Sequence, residues 1–318
     1  MGFLAFIANE NNNRRNMRSP SGGEFLQMDN IADVNNDTNS IYEDRVLAFV
    51  DILGFRSMIK DSESVYEAQK RIKTAMNIIH SYKTLNDSPM GSEQNDDKAG
   101  LRSLGIQITT FSDSAIISYP LSYDGALFYL IIDLIHLQME LLWLGILIRG
   151  GIVIGPAYHD SVNAFGPAMV SAYELESKKA IYPRIIMHPN TVKLGLKMSP
   201  SHLNDFDLEL FKTTICQDAD GYFFVEYLQQ YQEFDFPEIT YYEWMFGIRK
   251  MIVDNLNNTQ FIPDVFAKYQ WLLHYWNRTL EGQDFHIPIE GDMNDAERLE
   301  EWEKYKRLKI DSSTIPYT

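Results

Sequence analysis

Apolar residues along this chain fall into two rhythms. Residues 45–53 and 146–155 are nearly continuous apolar runs, short enough to be buried strands. Residues 104–111 and 114–119 are two further β-prone runs. Only Ser112 and Asp113 separate them, which is the spacing of a two-residue hairpin turn. Longer stretches in helical rhythm lie between. Over residues 57–85, Met58, Val65, Ala68, Ile72, Ala75, Ile78 and Ile79 recur at helical spacing and predict one helix. Residues 124–144 are apolar on nearly every side and predict a long buried helix. Past a polar loop over 158–165, the pattern predicts a small-residue helix over 166–180, a strand over 182–188 and a short helix over 189–196. The predicted order is β-α-ββ-α-β-α-β, an α+β sandwich of the ferredoxin-like or palm type.

Outside that unit the pattern is weaker. Residues 1–43 are rich in Asn, Arg, Ser and Gly and read as a flexible N-terminal tail. Residues 86–100 are polar and breaker-rich, so a surface loop is expected. The sandwich would occupy residues 44–200, with residues 201–318 a C-terminal extension of unassigned role. There, short strands are expected in 206–211, 213–217 and 222–227. Helices are expected in 248–256, 261–279 and 294–308, the last with alternating charges.

Composition narrows the class of partner. The 318 residues are 45% hydrophobic, enough for a sizeable core, and the formal charge is −16. Such a charge argues against nonspecific binding to nucleic acid or to an anionic membrane. With one cysteine, Cys216, no disulfide can form within the chain, which favours a reducing cytoplasm. Residues 125–148 have the length of a membrane span but carry Asp133, His136, Gln138 and Glu140. A core helix fits them better than stable membrane insertion.

The candidate chemistry starts at Asp51, an acid inside an apolar run. A carboxylate there costs several kcal/mol, on the order of its desolvation penalty, unless a cation or hydrogen bonds meet it. Asp113 lies in the hairpin turn. The ferredoxin-like order sets the first strand beside that turn, so the two acids converge. Together with the Ile52 carbonyl they could hold two divalent ions, Mn2+ or Mg2+, in an arrangement suited to displacement at phosphorus. Backbone N–H groups of Leu53, Gly54, Phe55 and Arg56, at the next helix start, would cradle phosphates.

Four blocks carry a resemblance: Phe49 to Phe55, Phe111 to Ser114, Ile148 to Gly155 and Gly166 to Glu176. In that order they resemble the class III nucleotidyl cyclase catalytic domain, over about residues 44–200. The block Ala164 to Glu176, with Ala180 to Ile185, looks most like the pyrimidine (uridylate or cytidylate) cyclases of bacterial Pycsar anti-phage systems. The resemblance implies a metal-dependent conversion of UTP or CTP to the 3′,5′-cyclic monophosphate and pyrophosphate. It also implies a head-to-tail homodimer and a downstream effector protein activated by the cyclic nucleotide. Both metal acids would come from one subunit and the base-side residues from the other.

The departures matter. Where purine cyclases carry an Asn and an Arg on the helix after the glycine, this chain has Val170 and Glu174. Another cation must then meet the α-phosphate: Arg149 or Arg184, whose planar fork suits phosphate, or Arg56, Lys178 or Lys179. Asn163 stands where adenylate cyclases read the purine, and its amide suits a pyrimidine edge. Tyr182 is a candidate for base stacking. Two alternatives stay open: a purine cyclase of the same fold, and a catalytically silent nucleotide-binding domain of cyclase type. Asp133, His136 and Glu140 share a helical face and are read as hydrogen-bonded core or a dimer seam. Trp271, Tyr275 and Trp276 are read as core.

Overall fold

A computed structural model describes residues 40–87, 105–197, 211–281 and 294–311. The expected tail of residues 1–43 lies outside them up to residue 39, as do most of the 86–100 loop and a candidate strand at 206–210. Strand β1 (Glu43–Ile52) is followed by α1 (Phe55–Ser62) and α2 (Tyr66–Asp87). The hairpin β2 (Gln107–Phe111) and β3 (Ser114–Pro120) comes next, then α3 (Ala126–Trp143) and β4 (Ile148–His159). A two-residue β5 (Ala164–Phe165) precedes α4 (Pro167–Lys179), β6 (Ile185–Met187) and α5 (Pro189–Lys197). The described C-terminal part adds β7 (Ile215–Gln217), β8 (Phe223–Val225), α6 (Tyr241–Thr259), α7 (Pro263–Glu281) and α8 (Asp295–Lys306).

One sheet joins these strands in the order β2-β3-β1-β4-β6-β8-β7, with β5 paired to β4. Every pairing is antiparallel except that of β4 with β6. The first four strands have the ferredoxin-like order, and the α+β class is the one the pattern predicts. Alternation along β1 splits its side chains between two faces. Leu47 and Phe49 pack with Ile116, Ala157, Ala168 and Ala172 against α4. Val46, Ala48 and Val50 are buried on the other face, where α3 packs. Helix α3 is long and apolar enough to cross a membrane, yet its Leu130, Ile131, Leu134 and Ile135 are wholly buried within the protein.

Two local expectations are revised. The helix expected over 57–85 is two helices, broken at Glu63 to Val65. Strand β4 runs on to His159, so the expected 158–165 loop shrinks to a tight turn before β5. Gly150 and Gly151 both sit inside the β4 ladder, which continues through them. A Cβ on Gly150 would lie 2.7 Å from Phe49 O, and one on Gly151 would lie 2.8 Å from Ala172 O and Leu175 Cβ. The pair therefore lets neighbouring backbone and α4 close directly onto β4.

Beyond residue 200, β8 and β7 extend the sheet past β6. Helices α6 and α7 bring an aromatic core. Trp244 stacks on Tyr241 at 5.8 Å, and Trp276 Nε1 donates to Leu308 O at 3.0 Å. Trp276 and Tyr275 are buried, as expected for core.

Candidate active site

The sheet register sets four side chains in one row. Asp51 on β1 faces Ser114 on β3 and Arg149 on β4, and Ser114 faces Phe111 on β2. Directly paired residues share a face, so Arg149, Asp51, Ser114 and Phe111 all point to the α4 side. The Ser114 hydroxyl donates to Asp51 Oδ1 at 2.8 Å. Arg149 Nη2 lies 3.8 Å from Asp51 Oδ2.

The hairpin turn brings in the second acid. Ser112 takes a left-handed φ of 49°, unusual without glycine, which lets a two-residue turn join β2 and β3. The Ile52 N–H donates to Asp113 O at 3.0 Å and so ties that turn to the end of β1. Asp51 is half-buried, and burial is the main reason its carboxyl is held above the ordinary range. The Ser114 hydroxyl and Arg149 pull it back, while the charge on Asp113 raises it further. A carboxylate left short of positive charge beside a second acid is a place for a cation.

Gly54 follows in the left-handed region, φ 76°, and starts α1. No side chain caps that helix, and Met58 makes its first intrahelical bond, to Gly54 O at 3.1 Å. The N–H groups of Phe55, Arg56 and Ser57 precede that bond and point out of the helix start. Leu53 differs from its expected place in the cradle: its N–H already donates to Leu147 O at 2.8 Å. The Arg56 side chain is exposed.

Glu176, at the end of the fourth block, carries no expected role. It sits on α4 with only 2% of its surface exposed, and its Oε1 lies 2.6 Å from Arg149 Nε. The two atoms are close but out of line, so the contact is an ion pair without hydrogen-bond alignment. Burial raises the Glu176 carboxyl to about 7, with Asp51 and Asp113 adding to the rise and Arg149 opposing it. The missed signal was periodic: Ala168, Ala172 and Glu176 recur every four residues on the buried face of α4.

Other expected site residues are taken up by protein partners or stand apart from Asp51. Arg184 is buried and forms ion pairs with Asp218 and Asp220. Tyr182 stacks on Trp271 with ring centres 5.9 Å apart, and the Arg184 guanidinium lies over both rings. Asn163 is in the β4–β5 turn, where its N–H and that of Val162 donate to Asp160 Oδ1. That turn is at the far end of β4 from Arg149, on the order of 30 Å by strand rise. Val170 and Glu174 are exposed, and Glu174 pairs with Lys178 at 2.7 Å. Lys179 is exposed too.

Three further polar side chains are held by partners within the fold. His159 is buried between Ser118 Oγ at 2.7 Å and Thr109 Oγ1 at 3.0 Å. Burial, helped by nearby Arg45, lowers its imidazole to about 3. Asp133 accepts from the Tyr119 hydroxyl, and His136 pairs with Glu233 at 3.1 Å.

The donor set at Asp51 and Asp113 is all oxygen, which suits hard divalent ions such as Mg2+ or Mn2+. Among the described residues, no three His, Cys, Asp or Glu side chains form a metal cage. A divalent ion here would therefore complete its shell with water or substrate oxygens, as Mg2+ commonly does.

No family model matches the sequence, and no curated protein is similar to it. Among solved structures, the chain is similar to the catalytic core of a rhodopsin-guanylyl cyclase with converted specificity, in complex with ATPαS. That likeness has 15% identity and a TM-score of 0.36, over 58% of this chain and 96% of the other. A bacterial light-regulated adenylyl cyclase is similar at 15% identity and a TM-score of 0.34, over 66% of this chain and 98% of the other.

Proposed function

We propose that the protein is a metal-dependent nucleotidyl cyclase acting on a pyrimidine nucleoside triphosphate, UTP in preference to CTP. The observation that carries this reading is the meeting of Asp51, at the end of β1, with the Asp113 turn beside an uncapped helix start. Asp51, Asp113 and the Ile52 carbonyl would hold two divalent ions, Mn2+ or Mg2+. Bound there, the ions would favour ionisation of the ribose 3′-hydroxyl and offset charge developing on the phosphates. The N–H groups of Gly54, Phe55 and Arg56 receive phosphate oxygens, and the Arg149 guanidinium meets them from β4.

The base side is read from the partner copy of a homodimer. Support comes from Asn163, which one chain holds far from its own Asp51. Preference for a pyrimidine is supported by α4, which offers neither amide nor free cation at Val170 and Glu174. The product would signal to a cyclic-nucleotide-activated effector in anti-phage defence, in the cytoplasm. Residues 44–200 would form the catalytic unit, with residues 201–318 a C-terminal extension without an assigned role. The pairing of Glu174 with Lys178 also favours a second reading, a silent nucleotide-binding domain. Incubation with each of the four nucleoside triphosphates and Mn2+, with products resolved by chromatography, separates the readings. Cyclic UMP or CMP is expected. Cyclic AMP or GMP alone would point to a purine cyclase, and bound nucleotide without product to the silent domain.

A further inference from the structure

Arg149 bridges two acids of unequal exposure. Its Nε lies 2.6 Å from the buried Glu176, and its Nη2 lies 3.8 Å from Asp51 at the open end of the row. One edge of the guanidinium is therefore anchored beneath α4 while the other faces the site. The anchor is set by backbone. Gly151 leaves no space between β4 and α4, with Ala172 O and Leu175 Cβ each 2.8 Å from where a Cβ would lie. Glu176 is one residue past Leu175, so that close approach fixes its carboxylate over Arg149. A third acid in this place is costly on charge alone, because Asp51 and Asp113 already repel it. Net charge thus gives no reason for its presence, and orientation does.

We propose that Glu176 is a positioning residue, which holds Arg149 by its inner edge so that the outer edge is presented to the substrate's phosphates. The inference rests on the reading of Arg149 as a phosphate contact. It names how that contact is aimed and which residue aims it. A free arginine on a strand end samples many rotamers, and binding must then offset that freedom. Anchoring at Nε leaves a planar fork preset for phosphate oxygens.

Charge and orientation predict opposite signs for one substitution. Removing a negative charge near the site by Glu176→Gln would tighten binding of a polyanion if charge alone mattered. Loss of aim would weaken it. The probe is magnesium tripolyphosphate, titrated calorimetrically into the full-length protein, so that turnover is not needed. Glu176→Gln is expected to weaken binding by at least about tenfold, well inside the scale for a broken buried ion pair. Arg149→Ala should weaken it to a similar degree, and the double variant should be no weaker than either alone. Unchanged or tighter binding by Glu176→Gln would overturn the proposal. So would losses that add in the double variant, or a wild type that does not bind tripolyphosphate. Should Glu176→Gln fail to fold, Glu176→Asp replaces it: weakened binding supports the proposal, and unchanged or tighter binding overturns it. Absence of turnover with intact tripolyphosphate binding would count against the cyclase reading and leave this one standing.

Discussion

Two arginines stand side by side at the starts of β4 and β6, and they are held differently. Arg184 is 1% exposed, ion-paired to Asp218 and Asp220, and covered by Tyr182 and Trp271. Its Nη1 and Nη2 groups donate to those two aspartates, and it ties the β7–β8 turn and α7 to the sheet. Arg149 is half-buried, anchored at one edge by Glu176 and only loosely met by Asp51 at the other. The same residue type thus serves as a staple in one place and is offered to a ligand in the other. What separates them is how completely the surrounding acids take up the guanidinium.

That contrast can be broken at the acids first. Asp51→Asn or Asp113→Asn should lower product formation on the order of a thousandfold or more, the scale for removing a preorganised electrostatic group. Neither should unfold the protein. Because burial raises the Asp51 carboxyl in the folded state, that charge opposes folding in metal-free protein, and Asp51→Asn should melt no lower than wild type. A collapsed melting temperature in Asp51→Asn would mean that the acid is a structural partner.

The second break is at the staple. Arg184→Ala leaves Asp218, 17% exposed, without its buried cation. A loss of about 3 kcal/mol in folding stability is expected by urea titration, at the low end for a broken buried pair because Asp220 reaches solvent. Activity per folded molecule should stay near wild type. A selective loss of turnover with unchanged stability would move Arg184 back into the site.

The smallest expected effect concerns pH. Glu176 titrates at about 7 in the folded protein against 4.5 ordinarily, so between those values the folded chain holds a proton that the unfolded chain has released. Stability of the metal-free protein should therefore fall as pH rises from 4.5 towards 7. Glu176→Gln should flatten that slope in denaturant midpoints measured across the range. An unchanged slope would mean that other carboxylates carry it.

The sheet's first half was legible because local rhythm and turn spacing suffice for it. Asp51 showed as an acid in an apolar run, and Ser112 with Asp113 showed as a two-residue turn. What local pattern could not supply was pairing between distant segments. Nothing near Phe223 marks it as a partner of β6, nothing near Ile215 marks it as a partner of β8, and nothing near Arg184 marks Asp218 and Asp220 as its acids. Glu176 was hidden for another reason. An acid on a helix with flanking lysines looks solvated, and only the alanines at four-residue steps reveal the face it shares. The Leu53 N–H was lost to the cradle through a carbonyl on a strand entry nearly a hundred positions away, at Leu147.

The central claim is that the Asp51 and Asp113 end of the sheet carries out cyclisation at phosphorus. The most direct test follows UTP by phosphorus NMR with Mg2+ and the full-length protein. Cyclic phosphate and pyrophosphate signals should grow in equal amounts with wild type and stay absent with Asp51→Asn. Release of inorganic phosphate without a cyclic signal, or cyclic product persisting in Asp51→Asn, would contradict the account.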